Sequence, residues 1–156
     1  MKRSAFRDYV VSVAAALAVG GLSALLTMNS MTEFSWLDKP PLSPTAAVFP
    51  IVWSILFILM GIAAAMIWRS RDPRRGSALF TYGLQLFVNF FWTIIFFNME
   101  MRLFAFFWLL LLLALVTATA LSFKNIRPAA GALLIPYILW LCFAAYLNLG
   151  VYLLNR

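Results

Sequence analysis

The sequence predicts an all-α membrane protein, one domain built as a bundle of five transmembrane helices with little chain outside the bilayer. Of its 156 residues, 65% are hydrophobic and only 11% are charged, with a mean hydropathy of +0.95. A soluble domain carries about 25% charged residues, so water is not the main solvent of this chain. Charges and prolines cut the sequence into five apolar segments. Each is close to the ~20 residues that cross a ~30 Å hydrocarbon core.

The first segment, 9–28, follows Met1, Lys2, Arg3 and Arg7. A basic start before an apolar run has the outline of a secretory signal. The run from Tyr9 to Met28 is long enough to span, however, and lacks a small-x-small cleavage site before polar sequence, so it reads as the first helix. Residues 29–46 form the one long connection, a loop over the expected cavity. Its Pro40, Pro41 and Pro44 forbid a continuous helix and predict a semi-rigid, extended path. The second segment is 47–68, the third 77–97, the fourth 103–123 and the fifth 129–154. In the fourth, the run Leu109 to Leu113 has no polar side-chain atom, which predicts a helix facing lipid over much of its circumference.

Ala16, Gly20 and Ala24 recur every fourth residue in the first segment, as do Gly61 and Ala65 in the second. Small residues at this spacing let helix backbones approach closely. Packing within the monomer is preferred over a dimer seam as their role.

The net charge of +7 does not mark a nucleic-acid binder, because the twelve basic residues sit in small clusters between apolar runs. Lys2, Arg3, Arg7, Arg69, Arg71, Arg74, Arg75, Lys124 and Arg127 fall on one side, and Lys39, Arg102 and Arg156 on the other. This bias predicts a cytoplasmic amino terminus, with the proline-bearing loop and the carboxyl terminus across the membrane.

The five segments contain no Asp, Glu, Lys, Arg or His, which excludes conventional acid–base catalysis within the bilayer. With no histidine and one cysteine, Cys142, neither a metal site nor an internal disulfide is expected. No internal repeat marks the chain as an inverted-repeat transporter.

Neutral polar groups remain. Gln85, Asn89 and Trp92 share one face of the third helix, and Trp140, Ala144 and Asn148 draw a similar line on the fifth. With the predicted topology, Asn89, Trp92 and Asn148 lie in the outer half, Gln85 and Trp140 lie nearer the middle, and Trp53 on the second helix reaches a similar depth. These groups are expected to converge beneath the loop bearing Lys39 and Pro40. A pocket of indoles and carboxamides suits a flat, largely apolar ligand held by a few hydrogen bonds. The same residues also suit helix-to-helix glue with interfacial tryptophans, and spacing alone does not separate the two readings. Trp68 and Trp108, near segment ends, are assigned to the interfacial belt. Leu149, Tyr152 and Arg156 satisfy a loose pattern proposed for sterol contact, which a belt tyrosine beside a terminal arginine explains equally.

At these residues the sequence resembles the tryptophan-rich sensory protein family, also called translocator protein or peripheral benzodiazepine receptor. Three blocks carry the resemblance. Leu37-Asp38-Lys39-Pro40 leads to the stretch from Phe49 to Phe57 that includes Trp53; Gln85-Leu86 is followed by Asn89, Trp92 and Phe96-Phe97; Pro136-Tyr137 is followed by Trp140, Phe143-Ala144 and Leu147-Asn148. Three departures touch the loop. Glu33-Phe34 stands where the family often has Trp-Tyr, Pro44-Thr45 replaces a common double proline, and the proline ahead of Trp53 is displaced by one residue.

The resemblance implies a five-helix bundle, often a homodimer, whose cavity takes porphyrins such as protoporphyrin or haem, and synthetic isoquinoline carboxamides or benzodiazepines. Sterol is implied for eukaryotic members, and stress-related control of tetrapyrrole level for bacterial ones. The implied ligand-binding residues are Leu37, Lys39, Pro40, Trp53, Phe57, Gln85, Asn89, Trp92, Phe97, Trp140, Ala144 and Asn148. Light- and oxygen-dependent porphyrin breakdown is also attributed to the family, and by motif its catalytic tryptophans would be Trp53 and Trp140. A site without acid or base is compatible with that chemistry, because the porphyrin, as ligand or substrate, absorbs the light; no obligatory cofactor is implied. The alternative reading is a transporter or passive carrier of porphyrin or sterol.

Overall fold

The computed structural model describes residues 4–156, so Met1, Lys2 and Arg3, which open the signal-like start and the basic count, lie outside the described residues. Among the described residues, five helices are long and apolar enough to cross a membrane. In chain order the elements are α1 (Ala5–Thr27), α2 (Ser30–Phe34), α3 (Val48–Trp68), α4 (Arg75–Thr93, continued by a π-helical turn Ile94–Asn98), α5 (Arg102–Ile126), α6 (Pro128–Ala132) and α7 (Ile135–Leu154).

Two elements differ from the sequence reading. The fifth apolar segment is two helices, because Pro136 has no N–H to continue the ladder begun in α6 and its ring crowds the preceding turn. The connection 29–46 is not extended throughout: its first part, ahead of the prolines, forms α2, and only the proline-bearing remainder is irregular.

Helix α1 packs along α3 and α4, α4 along α5, and α5 along α7, while α6 seats against α5 and α3. The α1–α3 seam is the tightest. A Cβ on Gly61 would meet the Val13 backbone at 2.5 Å, and one on Gly20 would run into the Phe57 ring. Ser12 Oγ donates to the Gly61 carbonyl across this seam at 2.7 Å. The small residues therefore close helices within the monomer.

By contrast α3 and α7 hardly touch along their lengths, and the gap between them becomes the cavity. The face carrying residues 29–46 is termed the loop face; the opposite, arginine-rich face carries the α3–α4 and α5–α6 connections. There Arg69 pairs with Asp8 at 2.8 Å. Hydrogen bonds from the Arg74 guanidinium and backbone N–H hold the Asp72 carboxyl at about 2, well below its usual range.

Helix α5 buries Leu109 and Leu112 while exposing Leu110 and Leu111, so its leucine run serves core and lipid on alternate faces. Trp108 Nε1 donates to the Val88 carbonyl at 2.7 Å, tying α5 to α4. Trp68 is half-exposed at the end of α3, with the Arg75 guanidinium over its ring.

Candidate functional site

A cavity of about 260 Å³ lies in the loop-side half of the bundle. Its walls come from Gly20, Ser23 and Thr27 of α1, Phe49, Trp53 and Phe57 of α3, Asn89, Trp92 and Thr93 of α4, and Trp140, Ala144, Leu147 and Asn148 of α7. Phe96 and Phe97 reach it from the π-helical turn, and Met31, Phe34, Lys39 and Ser43 form its roof.

Helical geometry positions the α4 and α7 groups. Tyr137, Trp140, Ala144 and Asn148 follow one another by three, four and four residues and so share a face of α7. That face meets the Gln85–Asn89–Trp92 face of α4. The Trp92 indole N–H donates to Asn148 Oδ1 at 3.1 Å, and Asn148 Nδ2 donates to the Arg102 carbonyl at 2.8 Å. One turn deeper, Asn89 Nδ2 donates to the Tyr137 hydroxyl at 2.6 Å, and that hydroxyl donates to Gln85 Oε1 at 2.9 Å. Gln85 spends its own amide N–H on the sulfur of Met60, 3.7 Å away. Gln85, Asn89 and Asn148 are all buried, and in a bilayer unpaired amides there would be costly.

This chain of bonds has a direction. Gln85 faces Met60 with its N–H₂, so its oxygen accepts from Tyr137, whose own oxygen accepts from Asn89. Asn89 Oδ1 is left as an acceptor with no partner among the described residues. The hydroxyls of Ser23, Thr27 and Thr93 donate to backbone carbonyls of their own helices. The Trp140 indole N–H is buried without a partner. The wall thus offers one unengaged amide acceptor amid apolar surface, while the Trp140 N–H is shielded from the space.

Aromatic rings cover the rest. Trp53 sits 6.3 Å from Trp92 and 6.1 Å from Tyr137, centroid to centroid, and Trp92 stacks on Phe96 at 5.7 Å. Phe49 meets Trp140 edge-on at 5.9 Å, bridging the gap between α3 and α7.

The roof is strapped down at both ends. Ser30 Oγ donates to Asn98 Oδ1, whose Nδ2 donates to the Leu26 carbonyl, and Phe34 packs edge-on against Phe96 and Phe97. On the other side Asp38 and Asn155 exchange two hydrogen bonds, Tyr146 donates to the Pro41 carbonyl, and Pro40 lies on Gly150. The π-helical turn that places Phe96, Phe97 and Asn98 is of the kind common at functional sites.

Of the sequence-derived site residues, Lys39, Trp53, Phe57, Asn89, Trp92, Phe97, Trp140, Ala144 and Asn148 line the cavity. Leu37, Pro40 and Gln85 do not. Leu37 packs on the hydrophobic core, Pro40 is consumed by Gly150, and Gln85 lies beneath the floor, where Tyr137 intervenes between it and the space. The spacing reading overlooked Tyr137, although its place three residues before Trp140 put it on the same helical face. No group of three or more His, Cys, Asp or Glu side chains able to hold a metal occurs among the described residues.

Comparison with known proteins agrees with the architecture. Residues 12–154 match the TspO/MBR family. The chain is 35% identical to the tryptophan-rich protein TspO of Chlorobaculum tepidum over 144 residues, covering 89% of this chain and 90% of that protein. It is 36% identical to the translocator protein of Ovis aries over 121 residues (74% and 72%), and 34% identical to the tryptophan-rich sensory protein of Cereibacter sphaeroides over 119 residues (76% and 74%). Five apolar spans and a match along almost the whole chain place this protein in the TspO/MBR family of integral, multi-pass membrane proteins.

Proposed function

We propose that the protein is a membrane sensor or scavenger of tetrapyrroles, holding protoporphyrin or haem in the loop-side cavity and promoting light- and oxygen-dependent loss of bound porphyrin. One observation supports this above others: Trp53, Trp92 and Trp140 surround a hollow whose inner wall is uncharged and carries only isolated polar contacts. Such a wall favours a flat conjugated ligand through stacking and apolar burial. When bound, the porphyrin would supply the light absorption. The chain's own residues would stack against it, orient it through Asn89, and exclude water with Phe34 and the roof. An electron-rich indole at Trp53 or Trp140 is the natural donor within reach of the ligand.

At about 260 Å³ the closed cavity is just below the ~300–1,000 Å³ usual for small-molecule sites. A macrocycle therefore binds with the roof displaced, or with one edge projecting from the mouth. Isoquinoline carboxamides and benzodiazepines, smaller and flat, fit the same reading.

The arginine-rich face is assigned to the cytoplasm. Seven described basic residues lie there, Arg7, Arg69, Arg71, Arg74, Arg75, Lys124 and Arg127, against Lys39, Arg102 and Arg156 on the loop face. A homodimer is the expected assembly from family membership, and its seam must use surfaces other than Gly20 and Gly61, which are engaged inside the monomer.

Purified protein titrated with protoporphyrin should show saturable quenching of tryptophan emission. Under light and oxygen, Trp53→Phe combined with Trp140→Phe should slow porphyrin loss per molecule bound, compared at saturating porphyrin so that a change in affinity does not enter the rate. Photolysis at the wild-type rate in the double variant would remove the indoles from the chemistry, and absence of saturable quenching would remove the tetrapyrrole. Protein-dependent flux across proteoliposomes would instead identify a passive carrier.

A further inference from the structure

Lys39 is the single ionised side chain among the described residues that line the cavity. It stands at the rim, exposed, with its ammonium 3.3 Å from the Ser35 carbonyl, 3.2 Å from the Leu37 carbonyl and 5.0 Å above the Phe34 ring. No acid pairs with it among the described residues: the ion pairs are Arg69–Asp8 and Arg74–Asp72, both on the far face, and the nearby Glu33 and Asp38 make none. An ammonium has three N–H donors, and two carbonyls account for two of them. A positive charge with a free donor is therefore held over an apolar hollow by backbone groups that cannot neutralise it.

We propose that Lys39 anchors the anionic end of the ligand, so that the site selects a flat apolar body bearing a carboxylate at one edge. This deepens the tetrapyrrole reading and rests on it. Protoporphyrin carries both propionates on one edge of the macrocycle. With one edge of the macrocycle projecting from the mouth, pairing with Lys39 makes it the carboxylate edge. The opposite, apolar edge then points inward to Trp53 and Trp92, which fixes the edge of the ligand that meets the indoles. The same ammonium also suits a lipid headgroup phosphate, so the test separates ligand carboxylate from headgroup.

The experiment compares protoporphyrin with its dimethyl ester, by tryptophan quenching, for the wild type, Lys39→Met and Lys39→Arg in zwitterionic phosphatidylcholine nanodiscs. The expected result is that Lys39→Met weakens the diacid by roughly fivefold to tenfold, leaves the ester unchanged, and that Lys39→Arg retains the diacid preference. Raising ionic strength should weaken the diacid and not the ester in the wild type. An acid-to-ester ratio that is the same in wild type and Lys39→Met overturns the anchor, whether Lys39 contacts a headgroup or only holds the roof, and leaves the tetrapyrrole reading standing. If the wild type binds neither compound, the tetrapyrrole reading fails and the anchor with it.

Discussion

Replacing Gly61 with alanine tests whether the α1–α3 seam is the rigid back wall of the cavity. The added Cβ would lie 2.5 Å from Val13 Cα, 2.9 Å from Val13 N and 3.0 Å from the Ser12 carbonyl oxygen, all backbone atoms that cannot rotate away. Carbon atoms pack at about 3.5–4.0 Å, so the two helices must separate by roughly 1 Å at this level. The Ser12–Gly61 hydrogen bond, now 2.7 Å, would then stretch beyond bonding distance. Overpacking costs about 1–3 kcal/mol, and the lost interhelical bond adds about 0.6 kcal/mol. Alanine's better helix propensity returns about 1 kcal/mol, which leaves a net destabilisation of about 0.6–2.6 kcal/mol.

Gly21 and Gly83 supply the controls. A Cβ at either has no heavy atom within 4 Å, so alanine there should be neutral or stabilising by up to about 1 kcal/mol. Reversible unfolding in mixed micelles, driven by added SDS and followed by tryptophan emission, measures all three. If Gly61→Ala is as stable as the wild type, or Gly21→Ala is equally damaged, close backbone approach is not what the glycine provides.

Gly150→Ala places a Cβ 2.5 Å from the Pro40 ring and should lift the roof strap, raising the rate of ligand release several-fold while helix content by circular dichroism stays constant. Tyr137→Phe strands Asn89 Nδ2 and Gln85 Oε1 in the bundle interior and should cost about 1–2 kcal/mol in the same unfolding assay. An unchanged midpoint there would mean that the hydroxyl carries no structural load.

The fold class was legible because each apolar run is bounded by charge or proline and is of crossing length. The details it missed have physical causes. The end of α4 passes into a π-helical turn over Ile94–Asn98, and hydrophobic periodicity carries no signal for a change from i−4 to i−5 bonding in so uniformly apolar a run. The break between α6 and α7 was signalled by Pro136, which the length of the segment outweighed. At the site, spacing placed Asn89 with Trp92, and Trp140 with Asn148, since residues three or four apart share a helical face. It did not tell how far α4 slides along α7, and that register decides that Tyr137 meets Gln85 and Asn89 while Asn148 meets Trp92. Gln85 illustrates the consequence: on the same face as Asn89, it lies one turn too deep to touch the cavity. The Asp38–Asn155 strap joins residues 117 apart, and nothing local marks either as the other's partner.

Asn89 and Asn148 both line the hollow and tie α4 to neighbouring elements. In a bilayer an unpaired polar group finds no water, so amides that line a hollow must first satisfy one another. They do so by pairing across α4 and α7, which fixes both the helices and the direction of every bond. What is left for a ligand is small: the Asn89 oxygen and the Lys39 ammonium at the rim. Apolar walls discriminate weakly, since a methylene more or less is worth only about 1–3 kcal/mol, whereas a mispaired buried polar group rejects a ligand far more strongly. Selectivity should therefore reside in these two groups and breadth of accommodation in the aromatic lining. Altering Trp53 or Phe57 would shift affinity for many flat ligands together, and altering Asn89 would change which of them is preferred.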